Sequence, residues 1–140
     1  MTDHDLDIFA RTVFGEARGE YKHNGPASLI AVANVIMNRL RRAGKYGKTL
    51  TEVCLKPRHF SCWNQSDPNR AFIQQENLET DPLFHICMVV VKKVIGGAWP
   101  DLTRGADHYH ASSCLPYWAR PGKVKLHLGR HIFYKLDEES

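Results

Sequence analysis

Thr12-Val13-Phe14-Gly15-Glu16-Ala17-Arg18-Gly19-Glu20 is the stretch whose reading decides the fold. An apolar helical pattern runs into it. At about 100° per residue, Leu6, Phe9, Ala10, Val13 and Phe14 share one stripe. By the same count Glu16 falls roughly 80–90° from the centre of that stripe, at the edge between core and solvent. A carboxyl group so placed is partly withdrawn from water, the setting in which an acid keeps its proton near neutral pH and works as a general acid. Gly15 and Gly19 each precede an acid, and the helix is expected to fail near one of them.

Working outward, the chain opens with an aspartate at position 3 or 5 placed to cap this first helix. Asn24-Gly25-Pro26 starts a second helix over residues 27–42, with Gly44 as its stop. Thr49 or Thr51 can cap one short turn before Pro57. Residues 58–63 read as an extended segment lining a cleft, and a weaker helix follows at 71–75. Asp81-Pro82 is a clean start for a helix over 83–95, apolar nearly all round and so expected to be the central buried one. Late in the chain, residues 106–111 alternate, and 124–128 and 131–135 flank Gly129 like two short strands. The Asp137-Glu138-Glu139 end reads as a frayed acidic tail.

At 140 residues and 43% apolar content this is one globular unit. No run reaches the ~20 apolar residues of a membrane span, so stable membrane insertion is not expected. Thr2-Asp3-His4-Asp5 lacks a basic region followed by an apolar stretch, so synthesis in the cytoplasm without a signal peptide is expected. Net charge is +4, with Lys22, Arg41, Arg42, Lys45, Lys48, Lys56 and Arg58 concentrated in the first half. Such a surface suits a polyanion, whether nucleic acid, lipid headgroups or an anionic cell wall. Cys54, Cys62, Cys87 and Cys114 are too scattered for a zinc ribbon and are expected to be free thiols.

The stretch around Glu16 resembles the signature of the SleB/CwlJ-type cell wall hydrolases, the spore cortex-lytic family that also includes phage and prophage endolysins. The likeness continues in order through Asn34-Val35-Ile36-Met37-Asn38-Arg39, His59-Phe60-Ser61-Cys62-Trp63, Gly105-Ala106-Asp107-His108-Tyr109-His110 and Gly129-Arg130-His131-Ile132-Phe133-Tyr134. It covers residues 6–134, and five blocks in family order are far more specific than any one. The resemblance implies an α+β, mainly helical chain with a lysozyme-like body of the goose-type, lytic transglycosylase-like branch. Residues 1–140 then form a single catalytic domain, and Glu16, the first Glu of the Gly-Glu-Ala-Arg block, is the catalytic acid.

It further implies cleavage of the MurNAc-GlcNAc strand of peptidoglycan by a single-acid lytic transglycosylase mechanism. Two-carboxylate glycosidases need a second acid; here the muramic 6-hydroxyl would take that place. Phe60, Ser61, Trp63, Tyr109, His110 and Trp118 are the residues placed along the sugar groove, since aromatic faces stack on sugar rings and polar rims bind their hydroxyls. Arg18, Glu20 and Asp107 are supporting candidates, with Glu20 expected in a structural ion pair. His108 and His110, two apart on a strand, could share a face as metal ligands do. No metal or cofactor is assigned, however. The expected partner is the glycan strand rather than nucleic acid, the chain acting as a monomer on the wall after release, with a holin as the route out. The alternatives are a hydrolytic muramidase, a zinc-dependent N-acetylmuramoyl-L-alanine amidase and a non-catalytic wall-binding module.

Overall fold

The computed structural model describes residues 1–137. Among these, five α-helices precede a small sheet: α1 Asp3–Asn24, α2 Pro26–Leu40, α3 Leu50–Leu55, α4 Pro68–Ile73, α5 Pro82–Ile95, then β1 His108–Ala111, β2 Val124–Leu128 and β3 His131–Tyr134. This is the mainly helical α+β body expected, with its β element late.

α1 begins with a capping box. The Thr2 hydroxyl accepts from the Asp5 backbone N–H, and the Asp5 carboxylate accepts from that of Thr2, both at 3.1 Å. Thr2 is therefore the cap, with Asp5 its reciprocal partner. The helix then runs unbroken through Gly15 and Gly19 and stops only at Gly25, whose φ of 64° suits glycine. The expected break is absent because a mid-helix glycine costs only about 1 kcal/mol, and the packing of α1 outweighs it. Gly15 is there for close approach. A Cβ on it would lie 2.8 Å from Cys62 Cβ and 3.0 Å from Ile73 Cγ2.

The central position expected for α5 belongs to α2. Leu29 and every residue from 31 to 39 are buried in α2, whereas α5 buries Phe84, Cys87, Val90, Val91 and Val94 and leaves Val89 55% exposed. Small residues Ala31, Ala33 and Asn34 let neighbours close on α2 from several sides. α2 ends at Leu40, before Gly44. Thr49 caps α3, accepting from the Glu52 N–H at 3.1 Å. Asp67 and Asp81 cap α4 and α5, each followed by a first-turn proline, so α4 starts earlier than 71. Residues 58–63 are not a strand: Arg58 has a left-handed φ of 69°, and Ser61–Trp63 forms a 3₁₀ turn against α1.

The sheet is antiparallel in the order β1-β3-β2, with Gly129 and Arg130 as the two-residue turn between β2 and β3. Ala31 and Val35 of α2 pack with Ala106 and Phe133 and join the sheet to the helices. Asp137 is anchored rather than frayed: it accepts from Lys45 Nζ at 2.9 Å, and its N–H donates to Asp107 Oδ2 at 3.0 Å. Glu138 and Glu139 lie outside the described residues. All four cysteines are free thiols. No helix among the described residues is long and apolar enough to cross a membrane.

Candidate active site

Glu16 stands on α1 at the edge of the core, half-buried. Because Gly15 lets the 3₁₀ turn press against the helix, the Cys62 backbone N–H donates to Glu16 Oε2 at 2.9 Å, with Ser61 Oγ 3.4 Å from the same oxygen. Across the cleft, β1 delivers the Tyr109 hydroxyl, which donates to Glu16 Oε1. Burial, reinforced by the negative charge of Glu16, raises the Tyr109 pKa well above its ordinary value, so the phenol stays a proton donor. Tyr109 lies beside the His131 and Phe133 rings of β3, at 5.0 and 5.4 Å between centroids. Each carboxylate oxygen thus has its own donor from a different element.

Two lobes meet at Glu16. One, about 300 Å³, is walled by Arg39, Arg58, His59, Ser61, Asn69, Tyr109 and His110. The other, about 320 Å³, is walled by Glu20, Ser112, Ser113 and Arg130; Ala111 and His131 border both. Burial lowers the His59 pKa, and the Arg39 charge adds to that effect. Burial also lowers that of His131, against the opposing pull of Glu20 and Glu16. Both imidazoles therefore favour their neutral, hydrogen-bonding form.

The structure sorts the sequence candidates. Ser61, Tyr109 and His110 border the cleft with Glu16. His110 Nδ1 is 2.7 Å from the Ala111 carbonyl, which can only accept, so that nitrogen carries the proton and Nε2 accepts from the Tyr134 hydroxyl at 2.7 Å. Phe60 does not reach the groove. It is 1% exposed and lies under the Arg39 guanidinium at 5.0 Å, because burying a ring there outweighs exposing it. Trp63 faces another groove, its Nε1 donating to Thr12 Oγ1 at 2.9 Å. Trp118 packs against His108, His110 and Tyr134, with centroids 5.0, 5.7 and 5.4 Å away, and does not line the cleft.

The three supporting candidates have structural partners. Arg18 Nη2 donates to Asn69 Oδ1 at 2.7 Å while its guanidinium lies 3.9 Å from the Phe72 centroid, so it positions a cleft residue. Glu20, 4% exposed, accepts from the Arg130 N–H at 2.6 Å and from Arg130 Nε at 3.0 Å. Burial alone would raise the Glu20 pKa, but those bonds hold it below the ordinary value. Asp107 is fully buried and accepts from the N–H groups of Leu136 and Asp137 and from His108 Nδ1. Burial opposes its ionisation; these hydrogen bonds outweigh that and hold its pKa below the usual range. His108 Nδ1 is engaged with Asp107, and both ring nitrogens of His110 are held, by Ala111 and Tyr134. Among the described residues, no three His, Cys, Asp or Glu side chains gather as a metal site.

Arg39, His59, Asn69 and His131 border the cleft and were not singled out from sequence. Three of them lie inside the quoted motif blocks, which was the available signal; Asn69 carried none. Arg39 is fixed from α2, its Nε donating to the Asp107 carbonyl at 2.7 Å and its Nη1 lying 3.4 Å from His59 Nδ1.

A lysozyme-like helical body with one acid centred in a polar cleft is the build of a glycosidase-type enzyme. The chain belongs to the Cell Wall Hydrolase family (Hydrolase_2), whose model matches residues 24–134. It is similar to the catalytic domain of the Bacillus cereus SleB protein, with 27% identity and a TM-score of 0.71 over 96% of this chain and 91% of that one. It is likewise similar to the catalytic domain of the germination-specific lytic transglycosylase SleB from Bacillus anthracis, with 28% identity and a TM-score of 0.70 over 96% and 97% of the two chains. No curated protein matches the sequence.

Proposed function

We propose that the chain is a peptidoglycan lytic transglycosylase that cleaves the MurNAc-GlcNAc strand with Glu16 as acid and then base. The observation that carries this reading is the solitary state of Glu16. Among the described residues it is the one carboxylate bordering the Arg39–Asn69 lobe, while Glu20 is committed to Arg130 and Asp107 to backbone N–H groups. The activity named for the Bacillus anthracis relative supports the same reading.

In its protonated form Glu16 gives its proton to the bridge oxygen as the glycosidic bond breaks. The carboxylate left behind is stabilised by the Tyr109 hydroxyl and the Cys62 N–H, each aimed at one oxygen before reaction begins. It then takes the proton of the muramic 6-hydroxyl, which closes on C1. A tethered hydroxyl has a large effective concentration over water, and among the described residues of the cleft no second carboxylate is free to activate a water molecule.

The test is mass spectrometry of digested peptidoglycan, run with and without EDTA. The expected products are 1,6-anhydromuramic ends, resistant to borohydride and about 18 Da lighter than hydrolysed ends, the mass of the water not added. Chelation should leave them unchanged. Reducing muramic ends would make the enzyme a muramidase. Released stem peptides that vanish with EDTA would make it a zinc amidase, and binding without any product a wall-binding module.

A further inference from the structure

A second groove runs away from the catalytic cleft, and the proposed mechanism does not use it. It has two lobes, about 570 and 700 Å³, which share Leu55, Trp63 and Arg70. Arg58 borders both the larger lobe and the Glu16 cleft, so groove and cleft adjoin. Trp63 is half-buried, and its bond to Thr12 fixes the plane of the ring. The cations differ in kind. Arg11 is spoken for, donating to Asp7 at 2.9 Å and to the Ile73 and Gln75 carbonyls at 2.7 and 2.9 Å. Arg70 is not: no hydrogen bond or ion pair of its outer guanidinium nitrogens occurs among the described residues, and its Nε is buried without a partner. The buried Nε is closed off from the groove, so the outer Nη groups are the ones left to meet a ligand.

We propose that this groove binds the acidic stem peptide that branches from the glycan strand, with a peptide carboxylate on Arg70. The inference rests on the glycan occupying the Glu16 cleft, as above. A peptide leaving that strand would pass Arg58 first, then reach Arg70, with its alkyl parts against Leu55 and the Trp63 ring. A guanidinium is suited to a planar carboxylate, which it can grip with two parallel hydrogen bonds. Two cations on one lobe, with Leu55 and Trp63 beside them and Asn64, Gln65 and Ser66 as polar rim, match a peptide bearing spaced carboxylates. A phosphate polymer would call for a continuous basic stripe.

The experiment uses the full chain carrying Glu16→Gln, so that nothing turns over, labelled with ¹⁵N. Synthetic L-alanyl-γ-D-glutamyl-diaminopimelate is titrated in, and the Trp63 indole N–H resonance is followed. A saturable shift is expected. Arg70→Gln should weaken binding roughly tenfold, the loss typical of one charge-assisted hydrogen bond, and Arg70→Lys should recover part of it. Amidating the peptide's carboxylates should cost the parent more than Arg70→Gln does, and should cost the Arg70→Gln protein less than it costs the parent. The idea is overturned if the Trp63 resonance does not move, if Arg70→Gln binds as well as the parent, or if a glycerol-phosphate polymer binds there and the peptide does not. The free Arg70→Gln protein should keep the parent Trp63 resonance, which shows the fold intact. The readout is binding, so it stands or falls separately from the anhydromuramic product that tests the catalytic reading.

Discussion

At the scale of a residue, the proposed reaction depends on a proton that one side chain holds and returns. Glu16→Gln keeps the size, and its amide can accept from the Cys62 N–H and donate to the Tyr109 oxygen, but it can neither give nor take that proton. Lytic activity should fall by at least ~10²-fold, with thermal stability close to that of the parent. Turbidity loss of purified walls, paired with a melting curve, checks both halves. A variant that kept more than a tenth of the parent rate would remove Glu16 from its role. The donors around it are what the tertiary fold adds, because an acid on a bare helix would have neither the Tyr109 hydroxyl nor the Cys62 N–H.

At the scale of an element, α1 both carries the acid and shapes its surroundings. Gly15→Ala should improve intrinsic helix propensity by about 1 kcal/mol, yet its new Cβ would meet Cys62 Cβ at 2.8 Å. Overpacking of that kind costs about 1–3 kcal/mol, so the melting temperature should fall. Activity should fall with it, because the Cys62 N–H is pushed off Glu16. Gly19→Ala is the internal control: its nearest neighbour is Arg130 Nη2 at 3.8 Å, so it should be neutral or stabilising. Equal melting temperatures for the two variants would show that close approach is not why position 15 is glycine.

The start of α1 supplies a pH prediction. The Thr51 hydroxyl, then the Thr2 N–H, hold the Asp5 carboxyl down at about 2, against an ordinary 3.8. A depressed acid stabilises the fold above its unfolded value and loses that contribution as pH falls through its folded value. Asp5→Asn should therefore cost roughly 1 kcal/mol at neutral pH, the usual worth of a cap. The deficit should shrink from pH 3.8 down toward 2. Denaturant melts across that range are the check, and a deficit unchanged at pH 2 would contradict it.

At the scale of the whole molecule, the helical body and the late hairpin are tied together at the edge of the cleft. Glu20 of α1 receives both the N–H and the guanidinium of Arg130, beside Gly129, where a Cβ would sit 3.1 Å from Glu20 Oε1. Removing the charge from a buried acid that accepts two hydrogen bonds costs roughly 1–3 kcal/mol. Glu20→Gln should lower the melting temperature and weaken turnover while the products remain anhydromuramic. A switch to reducing ends in that variant would give Glu20 a chemical role that its pairing with Arg130 argues against.

Local chemistry determined much of this protein before any tertiary contact is considered. The proline starts of α2 and α5, the Thr49 cap, the turn at Gly129 and the edge position of Glu16 all depend on residues within a turn or two of one another. Motif order carried the family and picked out Tyr109, which borders the cleft beside Glu16. Tertiary structure alone decided that α1 passes through both glycines, that α2 rather than α5 lies at the centre, that Phe60 is buried, and that Trp63 belongs to a different groove. The reason is separation along the chain. Glu16 meets Cys62 across 46 residues and Tyr109 across 93, and Glu20 meets Arg130 across 110. No local pattern encodes contacts at that range, because they exist only once the core has brought the elements together.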